Sequence, residues 1–558
     1  MNNRVIGWPR GRVLGGSSAI NYMMMTYPSS TSLDVWEALG NPGWNWATLA
    51  PYYRKFQTYN PPSAETAATL STSYIDPSVQ GTSGPIQTAF YEFHGAWSAA
   101  WPETYANLSH AVTGDPLTGT SNGGFHNPST LDPKTVTRSY AASGYYFPNA
   151  SRPNLHLLTN AHACKILFST SSPPKATALR FIHDSTSPNP TTHTLPFTRE
   201  IILSAGTVQS PQLLELSGIG SPAILTPFSI PIVHANTAVG ANLFDHMACG
   251  ISLEVAPGMP SLDGLRDPTV LGAAIAAYTE ARTGPLAAGC SASAYMPVAL
   301  PSTAPGASPI SMTSILDQHP IDDRSTSDVT PRASQQIKLM RELLSNPSEP
   351  SAQHFLIPLQ FDGTKSELPA SLMQPTEPGE YCSVFASLAY PFSRGSIHVR
   401  SADPLQPPAI DPNYLSNALD EEIYAHHLLF LEELTRTPPL KALFKENGRR
   451  VGGEDGIMDS VEKAKRWLRK TGTTQYHPIG TCAMGPEADG GVVDDRLRVH
   501  GVTGVRVVDA SVFAGQVRGN IISGVYAVAE RAADLVKEDW GMKMTMDRGE
   551  RPADVTVN

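Results

Sequence analysis

The sequence predicts an α/β protein in which helices pack on a mainly parallel sheet. Two strand-to-helix crossovers carry that prediction. Glu200-Ile201-Ile202-Leu203 leads through a tight turn into a helical stretch, and Val505-Arg506-Val507-Val508-Asp509 leads to a long amphipathic helix opening at Asn520. A strand whose following helix packs back on the sheet joins parallel neighbours. A third observation is a group of short strand-like runs ahead of the first crossover, Leu155–Leu158, Cys164–Phe168 and Ala178–Ile182, separated by turn residues.

In chain order, residues 60–90 and 300–350 are rich in Pro, Ser and Thr, lack periodicity and read as long loops. In the first crossover Ser210 suits an N-cap, Pro211 the first helical turn and Gly218 the stop. In the second, Ile521, Val525, Val528, Ala532 and Leu535 form a stripe of helical period. Ligands of such sheets bind beyond the carboxyl ends of the strands. That rule directs attention to the turn at Gly206 and to the connection from Asp509 to Asn520.

Bulk properties narrow the function classes. Apolar residues make up 41% of the 558, enough for a sizeable core, and charged residues only 16%, which argues against disorder. The 49 prolines and 44 glycines fit a loop-rich enzyme and stay below the roughly 25–30% that marks low complexity. A net charge of −10 without a basic block argues against a nucleic-acid partner. Cys164, Cys249, Cys290, Cys382 and Cys482 are scattered, so neither a metal site nor a disulfide framework is expected. No apolar run reaches about 18 residues, so no membrane span is expected.

Two loops carry candidate chemistry. Gly15-Gly16-Ser17-Ser18 sets two glycines before two hydroxyls at a helix start, where backbone can approach a phosphate and free N–H groups can bind it. Alone, such a tetrad is as readily an ordinary N-cap. His477, in Gln475-Tyr476-His477-Pro478-Ile479-Gly480, exchanges protons near neutral pH. Asn520 donates and accepts hydrogen bonds but takes no proton. One base and one polar positioner suit removal of a proton from an alcohol, although singly each residue is as readily structural.

The segments Gly11–Asn21, Ser204–Gly220, Val239–His246 and the stretch around His477 and Asn520, in that order, closely resemble the glucose-methanol-choline (GMC) oxidoreductases. That resemblance implies FAD as cofactor, a small-molecule alcohol as substrate, and oxygen or another acceptor to reoxidise the flavin. It implies a Rossmann-like FAD-binding domain assembled from residues 1–28, 150–246 and 495–540. A substrate-binding domain would comprise residues 29–149 and 247–494. His477 and Asn520 become the catalytic pair. The cofactor contacts become Gly15, Gly16, Ser17, Ser18 and Asn21 along the pyrophosphate and flavin, Ala163 at the adenine, Tyr476 against the flavin, and Asp509, Ala510 and Ile521 at the second crossover. Trp8 stands where some relatives carry a histidine bonded to FAD, so the flavin is expected to be non-covalent. Asp245-His246 lies near the cofactor in relatives and is read as structural.

The family's Gly-x-Gly-x-x-Gly turn is missing from all 558 residues. The ADP-binding strand–turn–helix unit is therefore expected to be absent from this sequence. Two rival readings remain. One is a non-redox enzyme of the same fold, of cyclase or dehydratase type, and the other an inactive fragment.

Overall fold

The computed structural model describes residues 1–186, 190–300, 310–320 and 331–542. The two crossovers form as expected at their core. Strands Ile201–Leu203 and Val505–Val507 pair in parallel, with Ile201 opposite Val505 and Leu203 opposite Val507. The second crossover feeds the helix Ile522–Asp539, whose predicted stripe faces inward: Val528, Ala532 and Leu535 are buried. The helix begins two residues after Asn520, whose N–H donates to Thr26 Oγ1 at 2.6 Å.

The first crossover helix, Gly206–Leu216, starts four residues before the predicted cap. Ser210 and Pro211 therefore lie inside it, and the Ser210 hydroxyl bonds the Asp509 carboxylate instead of capping. Pro211 has no N–H to give the Thr207 carbonyl four residues back. Thr481 Oγ1 supplies that missing donor at 2.7 Å, and Thr207 Oγ1 donates to the Pro478 carbonyl at 2.7 Å. The loop after His477 is thus stapled to this helix through the defect that proline creates.

Most other strands run antiparallel, which departs from the mainly parallel sheet expected. The largest sheet has six strands in the order Thr473–Thr474, Met247–Glu254, Tyr381–Leu388, Ala352–Ile357, Ala292–Met296, Gly123–His126, all antiparallel. A crossover signal reports only its own strand pair, and these strands follow no strand-to-helix pattern visible in the sequence. A further antiparallel sheet joins Ala161–Phe168, Ala176–His183 and Thr191–Pro196. Leu155–Leu158 forms no strand, and Leu155, Leu157 and Leu158 are exposed. Residues 300–350 are not one long loop where described. They carry helices Met312–Gln318 and Pro331–Leu344, the latter burying Met340 and Leu344 at a helical spacing that the surrounding Pro and Ser obscured. The largest core cluster buries Trp36, Trp44 and Trp101 almost completely, and a smaller one holds Ala248, Phe355, Ile357 and Phe385.

Candidate active site

Two cavities meet at His477 and Asn520. The first, of about 300 Å³, is walled by Gly11–Asn21 residues, by Ser204–Gln209 and by the start of the Ile522–Asp539 helix. The second, of about 380 Å³, lies against the six-stranded sheet. His477, Asn520, Tyr476, Ser17 and Asn21 border both.

His477 is held from every side. Its N–H donates to Asp245 Oδ1 at 2.8 Å and its carbonyl accepts from Gln516 Nε2 at 3.3 Å. The preceding residue, Tyr476, adopts φ +64°, a left-handed conformation uncommon for a bulky residue. Thr474 Oγ1 fixes that kink by accepting the Tyr476 N–H at 2.7 Å, and Arg10 Nη1 donates to the Tyr476 carbonyl at 3.0 Å. Asp245 also accepts the hydroxyls of Thr474 and Tyr414. Burial pushes its carboxyl up to about 6 in spite of those bonds.

The imidazole hydrogen bonds settle the tautomer. His246 Nε2 lies 3.1 Å from the Ala389 carbonyl, which can only accept, so Nε2 bears the proton. Burial lowers the His246 pKa to about 4, so the ring is neutral near pH 7 and its Nδ1 is an acceptor. That Nδ1 lies 3.0 Å from His477 Nδ1, which must then donate. His477 Nε2 is left with its lone pair, which accepts from Asn520 Nδ2 at 3.2 Å. Burial first, then the His246 ring and Arg10, hold the His477 pKa well below the ordinary imidazole value.

Asn520 presents its amide nitrogen to His477 because its oxygen is already engaged. Asn520 Oδ1 accepts from Gln353 Nε2 at 3.2 Å and from Thr26 Oγ1 at 3.4 Å. The chain reaches this place through Gly519, at φ +74°. A Cβ there would stand 2.7 Å from Thr26 Oγ1 and 2.8 Å from the Tyr295 hydroxyl. Arg518, just before it, is buried with its guanidinium 4.1 Å over the Tyr295 ring.

The first cavity fits the flavin nucleotide that the sequence led us to expect. Where a Cβ would point from Gly16, at φ +56°, and from Gly206, at φ +82°, there is open space. The Ile522–Asp539 helix starts with no side-chain cap and no acid in its first turn, so its N–H groups remain available to an acceptor-rich or anionic group. The wall includes Gly15, Gly16, Ser17, Ser18, Asn21, Tyr476, Asp509, Ala510 and Ile521. Asp509 also clamps the two crossovers together: Oδ2 accepts the Gly206 N–H at 2.9 Å and Oδ1 the Ser511 N–H at 2.8 Å. Ala163 is the exception, lying exposed on its strand and off the wall.

Sequence reasoning set His246 aside as structural, yet it bonds the candidate base directly. It also gave no role to Arg10, which borders both cavities. Phe355, Phe361 and Phe385 of the second cavity carry no motif; Phe355 and Phe385 meet as paired strand residues, and Phe361 packs on Phe385 from a loop.

Comparison with known proteins places this geometry. Two family profiles, both described as GMC oxidoreductase, match residues 1–248 and 391–529. The first match begins at residue 1, and so does not bear out the expectation of an absent ADP-binding unit. Dehydrogenase mpl7 of Monascus purpureus is 36% identical over 549 residues, covering 96% of this chain and 84% of that protein. The GMC oxidoreductase family protein Mala s 12 of Malassezia sympodialis is 32% identical, covering 96% and 81%. Among solved structures, an FAD-dependent oxidoreductase from Chaetomium thermophilum superposes with a TM-score of 0.84 at 27% identity, over 97% of this chain and 88% of the other. A fungal aryl-alcohol oxidase gives 0.79 at 27% identity, over the same shares of 97% and 88%.

Proposed function

Because this chain belongs to the GMC oxidoreductase family, we propose that it oxidises an alcohol to a carbonyl, with FAD in the first cavity, His477 as the base and Asn520 holding the alcohol oxygen. One observation carries this reading. The unprotonated His477 Nε2 and the Asn520 amide that donates to it lie where the two cavities meet.

FAD, when bound, supplies a hydride acceptor at its N5. The chain's own residues do the rest. The substrate hydroxyl gives its proton to His477 Nε2 and accepts a hydrogen bond from Asn520 Nδ2. Taking the proton makes the oxygen electron-rich and favours departure of hydride from its carbon, leaving C=O. A positioned base is worth about 10²–10⁴ in rate. The depressed pKa of His477 keeps it unprotonated at neutral pH. Oxygen or another acceptor then reoxidises the cofactor.

Gly15, Gly16, Ser17, Ser18, Asn21, Tyr476, Asp509, Ala510 and Ile521, all on the first cavity's wall, would hold FAD. The binding would be non-covalent, because Trp8 stands where some relatives carry a histidine bonded to FAD. Residues 1–28, 150–246 and 495–540 form the cofactor domain, and the aromatic wall of the second cavity comes from 247–494.

The test is anaerobic. An alcohol added to FAD-loaded protein should bleach the flavin absorbance and yield one carbonyl per flavin. Conversion of substrate without bleaching would favour the non-redox reading.

A further inference from the structure

We propose that Gln353, with Ser293 and Asn127 behind it, is a positioning residue that fixes which end of the Asn520 amide faces His477. This rests on the alcohol-oxidation reading, in which Asn520 Nδ2 donates to the substrate oxygen and His477 Nε2 takes its proton.

The two ends of an asparagine amide are alike in shape and opposite in hydrogen-bonding sense. Turned over, Asn520 would set its oxygen beside His477 Nε2. That oxygen would compete for the substrate proton and could give the substrate oxygen no hydrogen bond.

Sheet register delivers the three side chains. Gln353 pairs with Tyr295, and Ser293 pairs with Phe355 on one side and Phe125 on the other. Side chains of directly paired residues, and of residues two apart on one strand, share a sheet face. Gln353 and Ser293 therefore stand on the face that carries Phe355 into the second cavity. Asn127, two residues after Phe125, continues that face past the strand end. Each of the three is exposed by 1% or less.

The polarity of the chain follows by elimination from a backbone carbonyl. The Pro128 carbonyl can only accept, so the Asn127 atom 2.9 Å from it is Nδ2 and the other end is Oδ1. Oδ1 takes the Ser293 hydroxyl proton at 2.7 Å. With its proton spent, Ser293 Oγ accepts from Gln353 at 3.4 Å, so the Gln353 atom there is Nε2. The second N–H of that nitrogen reaches Asn520 Oδ1 at 3.2 Å, which leaves Asn520 Nδ2 for His477. Turning Gln353 over would set its oxygen against the Asn520 oxygen and a hydroxyl with no proton to give. Thr26 cannot decide the matter, because its Oγ1 lies 3.4 Å from both the Asn520 carbonyl and Asn520 Oδ1.

His477 is reached separately from its other side, through the Ala389 carbonyl and His246. The two chains start at different carbonyls and meet with matching polarity at one bond, Asn520 Nδ2 to His477 Nε2.

The experiment is a double-mutant cycle on anaerobic flavin reduction by benzyl alcohol. It is read beside the ring nitrogen-15 spectrum of His477 in the same FAD-loaded proteins without substrate. Gln353→Met keeps the volume but has no N–H to donate. It should slow reduction about fivefold, the cost of the neutral bond that Asn520 then fails to hold, and should move the His477 Nε2 signal. In an Asn520→Ala background the same change should alter neither, because it acts only through Asn520. Ser293→Ala, a gentler change, should act in the same direction and likewise fall silent in that background. A merely structural role adds its cost in both backgrounds. Additive effects, or a Gln353→Met protein with the wild-type rate and spectrum, overturn the proposal while alcohol oxidation stands. A wild-type rate and spectrum in Asn520→Ala removes the reading of Asn520 and this proposal together. Where benzyl alcohol leaves the flavin oxidised, the spectra alone decide the cycle.

Discussion

His246 Nδ1 lies 3.0 Å from His477 Nδ1, so one proton serves two rings, and the Ala389 carbonyl decides which ring owns it. The carbonyl claims His246 Nε2–H, His246 Nδ1 must accept, and His477 Nδ1 must donate. The catalytic lone pair is thereby assigned to Nε2, the atom that faces Asn520. His246 is a positioning residue: it acts through His477.

Removing that acceptor should impair the base without removing it. His246→Ala should slow anaerobic flavin reduction by roughly 10–100-fold, the range found when a metal-bound histidine loses the partner that orients it. His246→Asn should recover most of the rate, because the amide oxygen can stand where Nδ1 stood. A merely structural role would leave both variants alike at equal flavin content.

Asn520 works by hydrogen bond alone, and its variants should rank accordingly. Asn520→Ala forfeits one neutral bond, about 1 kcal/mol or roughly fivefold in rate, far less than loss of the base. Asn520→His should retain substantial activity, since it too can donate. Asn520→Asp should be the slowest of the three. A carboxylate cannot donate to His477 Nε2 and would instead favour its protonated form. Stopped-flow reduction ranks them, and an Asn520→Asp enzyme as fast as the wild type would place Asn520 outside the site.

The same buried ring makes stability depend on pH. His246 has a folded pKa of about 4 against an ordinary 6.5, so between those values the unfolded chain binds more protons there than the folded one. Its contribution is full above pH 6.5 and is lost as pH falls towards 4. Asp245 opposes it: raised to about 6 from 3.8, it binds protons in the folded state first, so its penalty near neutral pH is relieved as pH falls through 6. Comparing His246→Asn with wild type isolates the histidine. The wild type's Tm advantage over the variant should shrink from pH 7 to pH 4.5, and a constant difference would contradict the assignment.

Pro211 and Thr481 should be coupled. Thr481→Val leaves the Thr207 carbonyl buried without its donor, costing about 1–3 kcal/mol. In a Pro211→Ala background the restored N–H takes that place, so the same change should cost measurably less. Denaturation midpoints for the four proteins give the coupling, and additive effects would show that the staple does not answer the proline.

The sequence made the ends of this site legible and left its middle dark. Gly15, Gly16, Ser17, Ser18, Asn21, Tyr476, His477, Asp509, Ala510, Asn520 and Ile521 belong to recognisable segments, and all reach the first cavity. Ala163 does not, because a backbone contact leaves no side-chain signature to check a guess against. His246 was visible as a residue, but its role depends on a 3.0 Å contact across 231 positions that no local pattern encodes. Phe355 and Phe385 converge only through strand register. The helix boundary at Gly206 was missed because Ser210-Pro211 resembles a cap, whereas Thr481 makes an internal proline tolerable.

The most direct measurement is the rate of anaerobic flavin reduction by an aryl alcohol in FAD-loaded wild type and His477→Ala. With His477 Nε2 as the base, the variant should keep its flavin and reduce it about 10²-fold more slowly or worse. An unchanged rate in flavin-loaded His477→Ala would contradict the account.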